Sequence, residues 1–149
     1  MLEIFIILFL TAADRITKYL AVHYLKPLQT VPIWKGVFSL TYVENRGAAF
    51  EILQNKRWFL VALPLVIIAA IIIYLVTHRE DSLLSKICLA VILAGAIGNL
   101  LDRILFGYVV DMFQLVFIDF PVFNVADTAV VCGTILLAIQ ILFMDASKS

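Results

Sequence analysis

Residues 58–76 carry no charged side chain, and that run constrains the fold more than any other feature of the chain. As a helix, a segment of this length matches the ~30 Å hydrocarbon thickness of a bilayer. Pro64 lies inside it, and proline is tolerated in membrane helices. The chain has 149 residues and is 64% apolar, well above the roughly 45–50% of soluble domains. It therefore reads as one integral membrane domain over residues 1–149.

Three further apolar segments, at about 2–24, 83–106 and 124–144, complete an all-α membrane protein with four transmembrane helices. The first is the least regular, because Asp14, Arg15 and Lys18 interrupt it. Such charges must face the bundle interior or an aqueous cavity. Asp14 and Lys18 are four residues apart and can pair on one helix face. Residues 1–10 lack a basic leading region, and no small-residue cleavage site follows, so this segment reads as a retained span rather than a cleaved leader. The third span carries Ala90, Ala94 and Gly98 at a spacing that lets helix backbones approach closely.

Between the first two spans, residues 37–43 alternate Phe38, Leu40 and Tyr42 against Ser39 and Thr41, the pattern of a half-buried strand. Asn45-Arg46-Gly47 then reads as a turn. Residues 108–123 are aromatic and β-branched but broken by Asp111, Gln114, Asp119 and Pro121. They read as an interfacial loop, at the depth aromatic residues favour. A small sheet formed by the first loop would lie on the membrane surface beside it.

Four spans place the loop with Asn45, the loop with Asp111, and the polar residues Asn99, Asp102, Arg103, Asn124 and Asp127 on one membrane side, with Asp14 displaced toward it. The first loop is also the more basic one, with Lys26, Lys35, Arg46, Lys56 and Arg57. By the positive-inside rule alone this side would be cytoplasmic.

The residues restrict the chemistry. A net charge of zero argues against nucleic acid as a partner. There is no HExxH motif, and His23 and His78 fall on opposite sides, so neither a catalytic metal nor another cofactor is expected. Cys88 and Cys132 lie inside spans and read as small buried hydrophobes. Ser39 with Lys35 is an isolated pair with weak claims as a nucleophile and base.

Carboxylates remain, above all Asp111 and Asp127. Two that share one proton can activate water and polarise a carbonyl together. Other roles stay open at this level. Asn124 and Asp127 have the spacing of a helix cap. Asp102 beside Arg103, and Asp14 with Lys18, read as structural charge pairs. Asn99, Asp102 and Arg103 share a helix face and can form one polar network. A small transporter and a purely structural subunit also stand as alternatives.

Five motifs in order resemble those of bacterial lipoprotein signal peptidases (signal peptidase II). DRITK (14–18) resembles D-x-x-T-K. ENRGAAF (44–50) resembles N-x-G-x-A-F. AGAIGNLLDR (94–103) resembles G-G-A-x-G-N-x-x-D-R, with Ala94 in place of the first glycine. YVVDMF (108–113) resembles V-V-D-F, with Met112 where phenylalanine is usual. FNVAD (123–127) resembles F-N-x-A-D.

The resemblance implies an aspartyl endopeptidase that cleaves diacylglyceryl-modified prolipoproteins just before the lipidated cysteine. It implies Asp111 and Asp127 as the catalytic pair, with Asp102 as a rival for one role. Asn45, Gly47, Asn99, Arg103, Asn124 and Ala126 would line or shape the substrate site, and Asp14, Lys18 and Asp102 would support it. Residues 45–50 would act as a lid. It further implies inhibition by globomycin-type cyclic peptides and a location in the bacterial cytoplasmic membrane, in contact with membrane lipid. Both termini would be cytoplasmic and the sheet and site extracytoplasmic, against the basic-residue count. Nothing demands more than a monomer.

Overall fold

The computed structural model describes residues 1–47, 56–78 and 82–144. Four long helices and a three-stranded antiparallel sheet make up its architecture. Helix α1 spans Leu2–Leu20 and continues as a π-helical turn, Ala21–Leu25. Strands β1 (Thr30–Trp34) and β2 (Phe38–Asn45) follow. Then come α2 (Arg57–Thr77), α3 (Leu83–Leu105), strand β3 (Val109–Leu115) and α4 (Val125–Ile139), which ends in a π-helical extension, Gln140–Met144.

Three helical stretches are long and apolar enough to cross a membrane: Arg57–Thr77, Leu83–Leu105 and Val125–Phe143. Their large apolar side chains are widely exposed, among them Val66, Ile73, Leu83, Val131, Ile135 and Leu142. In lipid that surface is the stable arrangement, because tails are as apolar as the side chains. Helix α1 has comparable length but carries Glu3, Asp14, Arg15 and Lys18. Asp14 and Lys18 are each 1% exposed, so the charges in its second half point into the protein.

Helix α3 is the hub, packed on α1, α2 and α4. Ala90, Ala94 and Gly98 are all buried along it, as the small-residue spacing indicates. The tightest approach is one residue off that stripe. A Cβ at Gly95 would collide with the carbonyl oxygen of Ala126 and come within 2.8 Å of Val130 Cγ2. One at Gly133 would lie 2.8 Å from Ile92 and 3.1 Å from the carbonyl oxygen of Cys88. Glycine on both helices thus seats α4 against α3. At the far end, the buried Gln140 amide donates to Ser82 Oγ and Ser85 Oγ, at 2.5 and 2.6 Å.

The sheet order is β1-β2-β3. This corrects the reading of residues 108–123 as a loop throughout: their first half is a full strand, paired with β2. Residues 116–120, which follow it, are exposed and do keep the apolar character of an interfacial segment. The Asn45-Arg46-Gly47 turn begins on the last residue of β2, where Asn45 pairs with Val109 and its side chain accepts from Gly47 N. One sheet face packs Tyr42, Val110 and Met112 against Ala21 and Leu25 at the end of the first helix. The alternate residue, Asp111, points the other way, as the period-two geometry of a strand requires.

Candidate active site

Asp111 lies in the middle of β3, opposite Val43 in the ladder, and is 1% exposed. Asn45 is its diagonal neighbour across the strand pair, within reach for a side chain of that length. Asn45 Nδ2 donates to Asp111 Oδ2 at 3.0 Å. The other carboxylate oxygen, Oδ1, accepts from Asn124 Nδ2 at 2.6 Å.

Asp127 reaches the same place from α4. Asn124 is extended and caps that helix: its Oδ1 accepts from Asp127 N at 2.8 Å, and its own backbone N–H donates to Asp127 Oδ2 at 3.2 Å. This reciprocal arrangement satisfies amides that a helix start leaves free. Asp127 Oδ1 accepts from Asn99 Nδ2 at 2.7 Å. The cap expected from the N-x-x-D spacing is therefore present, and Asn124 bridges both acids while forming it.

A buried charge cluster stands behind the pair. Lys18 Nζ lies 2.8 Å from Asp14 Oδ2 and 2.9 Å from Asp102 Oδ2. It also donates to Asn99 Oδ1 at 2.9 Å. That bond orients the Asn99 amide, because the oxygen held by Lys18 leaves the nitrogen facing Asp127. Asn124 Nδ2, 3.2 Å from the same oxygen, reinforces the orientation. Asp14 Oδ1 accepts from Ala126 N at 3.1 Å, which ties α1 to the first turn of α4. Gly98 makes this approach possible: a Cβ there would lie 2.7 Å from Asp14 Oδ2 and 3.3 Å from Ala126 Cβ.

Asp102 is fully buried and is gripped by Arg15 and Lys18. It does not pair with Arg103 as sequence adjacency suggested. Arg103 instead donates through one terminal guanidinium nitrogen to the Gly47 carbonyl at 3.1 Å. Gly47 N in turn donates to Asn45 Oδ1 at 2.9 Å, so Arg103 and Asn45 are linked through one glycine. Asn99 and Asp102 thus join through Lys18, whereas Arg103 reaches the network from the other side, through Gly47 and Asn45. Residues 48–50, the remainder of the expected lid, fall outside the described residues.

The candidate residues from the sequence therefore join one connected network. Asp111, Asp127, Asn45, Asn99 and Asn124 form the inner group. Asp14, Lys18, Asp102 and Ala126 brace it from behind, and Gly47 and Arg103 flank it. Sequence reasoning assigned no partner to Arg15 and passed over Gly95. An arginine one position from a motif acid, and a second glycine beside the stripe, were the available signals.

Burial and, after it, the neighbouring Asp127 charge push the Asp111 carboxyl up to about 7, against the donors Asn45 and Asn124. Asp127 is only half-buried. It sits in the first turn of α4, where the helix dipole favours negative charge.

Solved structures place this architecture among membrane enzymes. A bacterial membrane enzyme determined by the in meso method at 2.3 Å matches 99% of this chain and 90% of its own, with TM-score 0.90 and 32% identity. Lipoprotein signal peptidases align almost end to end. The protein from Clostridium acetobutylicum is 46% identical, covering 99% of this chain and 97% of its own. One from Streptococcus thermophilus is also 46% identical, with 96% and 93% covered. The signal peptidase (SPase) II family profile matches residues 6–143, and the chain belongs to that family of peptidases.

Proposed function

We propose that this chain removes signal peptides from diacylglyceryl-modified prolipoproteins by an aspartyl mechanism, with Asp111 and Asp127 as the catalytic pair. The observation that carries the reading is Asn124, whose side-chain amide holds Asp111 while its backbone and carbonyl oxygen hold Asp127. Asp127 takes a proton from water, and that water attacks the carbonyl before the lipidated cysteine. Asp111 donates its proton to the carbonyl oxygen as the tetrahedral intermediate forms. Return of the protons to the leaving amine and to Asp111 then completes the cycle. Arg103 and the asparagine amides are placed to orient the peptide and stabilise charge on that oxygen. Neither a metal nor another cofactor enters this scheme.

The diacylglyceryl group keeps the scissile bond at the bilayer surface, and the acids lie where β3 meets the ends of α3 and α4. Helix α1 acts as the fourth span, its inner charges satisfied by Asn99, Asp102 and Ala126 rather than by water. Both termini then face the cytoplasm and the site the outer surface. The chain works as one membrane unit and as a monomer, open to blockade by globomycin-type cyclic peptides.

The test is cleavage of a diacylglyceryl lipobox peptide by the purified protein in lipid. Asp111→Asn and Asp127→Asn should each lower turnover by at least ~10²–10⁴-fold, the usual weight of a general acid or base, with folding intact. Near-normal turnover in either variant would overturn the pair. If Asp102→Asn abolished turnover in a folded protein while Asp111→Asn stayed active, the roles would exchange.

A further inference from the structure

Glu44 lies next to Asn45 on β2, on the sheet face that turns away from Asp111. Its carboxylate gathers three partners. Oε1 accepts from Lys26 Nζ at 2.9 Å and from the Tyr42 hydroxyl at 3.1 Å. Oε2 faces Arg46 at 3.5 Å. The Arg46 guanidinium lies 5.4 Å from the centre of the Tyr108 ring, and Lys26 lies 5.2 Å from that of Tyr42. Lys26 follows the π-helical end of the first helix and Tyr108 leads into β3. The clasp therefore ties the last turn of β2 to both neighbours.

Asn45 is the final rung of the β2–β3 ladder. Strand ends fray unless tied, and Glu44 supplies a tie one residue before this end. The side chain of Asn45 in turn holds Asp111. Exposed ion pairs contribute little to global stability, and Lys26 and Arg46 are exposed while Glu44 is half-buried. A cluster of several such pairs at this place is better explained by what it aligns than by how much it stabilises.

We propose that Glu44 is a positioning residue for the peptidase reaction, its clasp with Lys26, Tyr42 and Arg46 holding Asn45 in register to donate to Asp111. The inference rests on the aspartyl reading above. The charges facing Glu44 are Lys26 and Arg46, with the hydroxyls of Tyr42 and Tyr108 nearby. Those facing Asp111 are Asp127 from α4 and Lys18 from α1, with the asparagine donors between them; Arg103 approaches from α3 through Gly47.

Two effects of removing the Glu44 carboxylate carry opposite signs, and this makes the test decisive. Loss of the Asn45 bond, which stabilises ionised Asp111, moves the basic limb of the kcat/KM–pH profile upward. Loss of a through-space negative charge would move it downward. For Glu44→Val in lipid, kcat on the lipobox peptide should fall about tenfold, in scale with sub-ångström misplacement, with KM unchanged within twofold and the basic limb raised. Combining it with Asn45→Ala should add no further loss, because both remove one interaction. Glu44→Gln, which keeps an acceptor oxygen, should restore most of the turnover. A stationary or lowered basic limb, or losses that multiply in the double variant, would overturn the proposal. If instead the wild type fails to cleave the peptide, or Asp111→Asn cleaves it normally, the aspartyl reading itself fails.

Discussion

Asn124 carries two duties, and substitution separates them. Losing a helix cap costs about 0.5–2 kcal/mol. Asn124→Ala should lower thermal stability by that modest amount, yet reduce turnover far more, because Asp111 also loses its 2.6 Å donor. Melting and turnover measured on the same preparation check this: equal proportional losses would reduce Asn124 to a cap. Lys18 predicts the opposite balance. Lys18→Met leaves the buried Asp14 without its cation and Asp102 with Arg15 alone, and breaking a buried pair costs about 3–5 kcal/mol. Most of the effect should appear as lost folded protein. The Asp111 carboxyl also links stability to pH. Its folded pKa of about 7 exceeds the ordinary 3.8, so the folded state binds more protons between those values. Stability should therefore fall as pH rises from about 4 to 7 and level off above. Chemical denaturation in detergent across that range should show the slope, and Asp111→Asn should flatten it. At this scale the motifs revealed the acids and asparagines but mispaired Asp102. Adjacent residues on a helix do not face each other. The partners of Asp102, Arg15 and Lys18, come from a helix more than eighty residues earlier in the chain, a distance that spacing arguments do not span.

Among the elements, helices α2, α3 and α4 were legible because each carries a long apolar run. Strand β3 was not. Its residues alternate poorly: Val109, Val110, Asp111 and Met112 are all buried, so one face packs on α1 and the other on the bundle, and the period-two signal vanishes. A strand covered on both faces reads as a plain apolar stretch. The contact between α3 and α4 gives the element-scale prediction. Gly95→Ala drives a methyl group into the Ala126 carbonyl and Val130, and overpacking of this kind costs about 1–3 kcal/mol. Because Ala126 precedes Asp127, activity should fall with stability. Gln140→Ala removes the clasp at the opposite end of the same helix pair, and should cost about 1 kcal/mol with turnover per folded molecule unchanged. Melting temperature and specific turnover of the two variants, measured together, separate an effect on the site from an effect on the bundle.

For the whole molecule, apolar length identified a membrane protein, and the side expected to hold the polar residues pointed to where the candidate site gathers. Orientation was harder to read. The basic residues of the first loop argue for the cytoplasm, but several serve the fold: Lys26 and Arg46 hold Glu44, and Arg57 donates to the carbonyls of Arg103 and Ile104 at the end of α3. Charges built into a folded segment do not report topology as free loop charges do. With Cys88 and Cys132 replaced by serine, Lys35→Cys in the turn between β1 and β2 should react with a membrane-impermeant maleimide in intact cells. His78→Cys, at the far end of α2, should react only after lysis. The reverse pattern would invert the proposed orientation.

The ion cluster of the first helix has a consequence for biogenesis. Each unpaired charge near the centre of a lone span costs a few kcal/mol at insertion. Asp14 and Lys18 pair with each other, yet the remaining partners of Asp14, Arg15 and Lys18 lie on helices synthesised much later. As the chain leaves the ribosome, its leading segment must wait at the lipid headgroups or beside the insertion machinery until the third and fourth helices arrive to admit it. A nascent chain arrested before residue 57, which carries the first helix without α2, should thus be held loosely enough to be extracted by alkali.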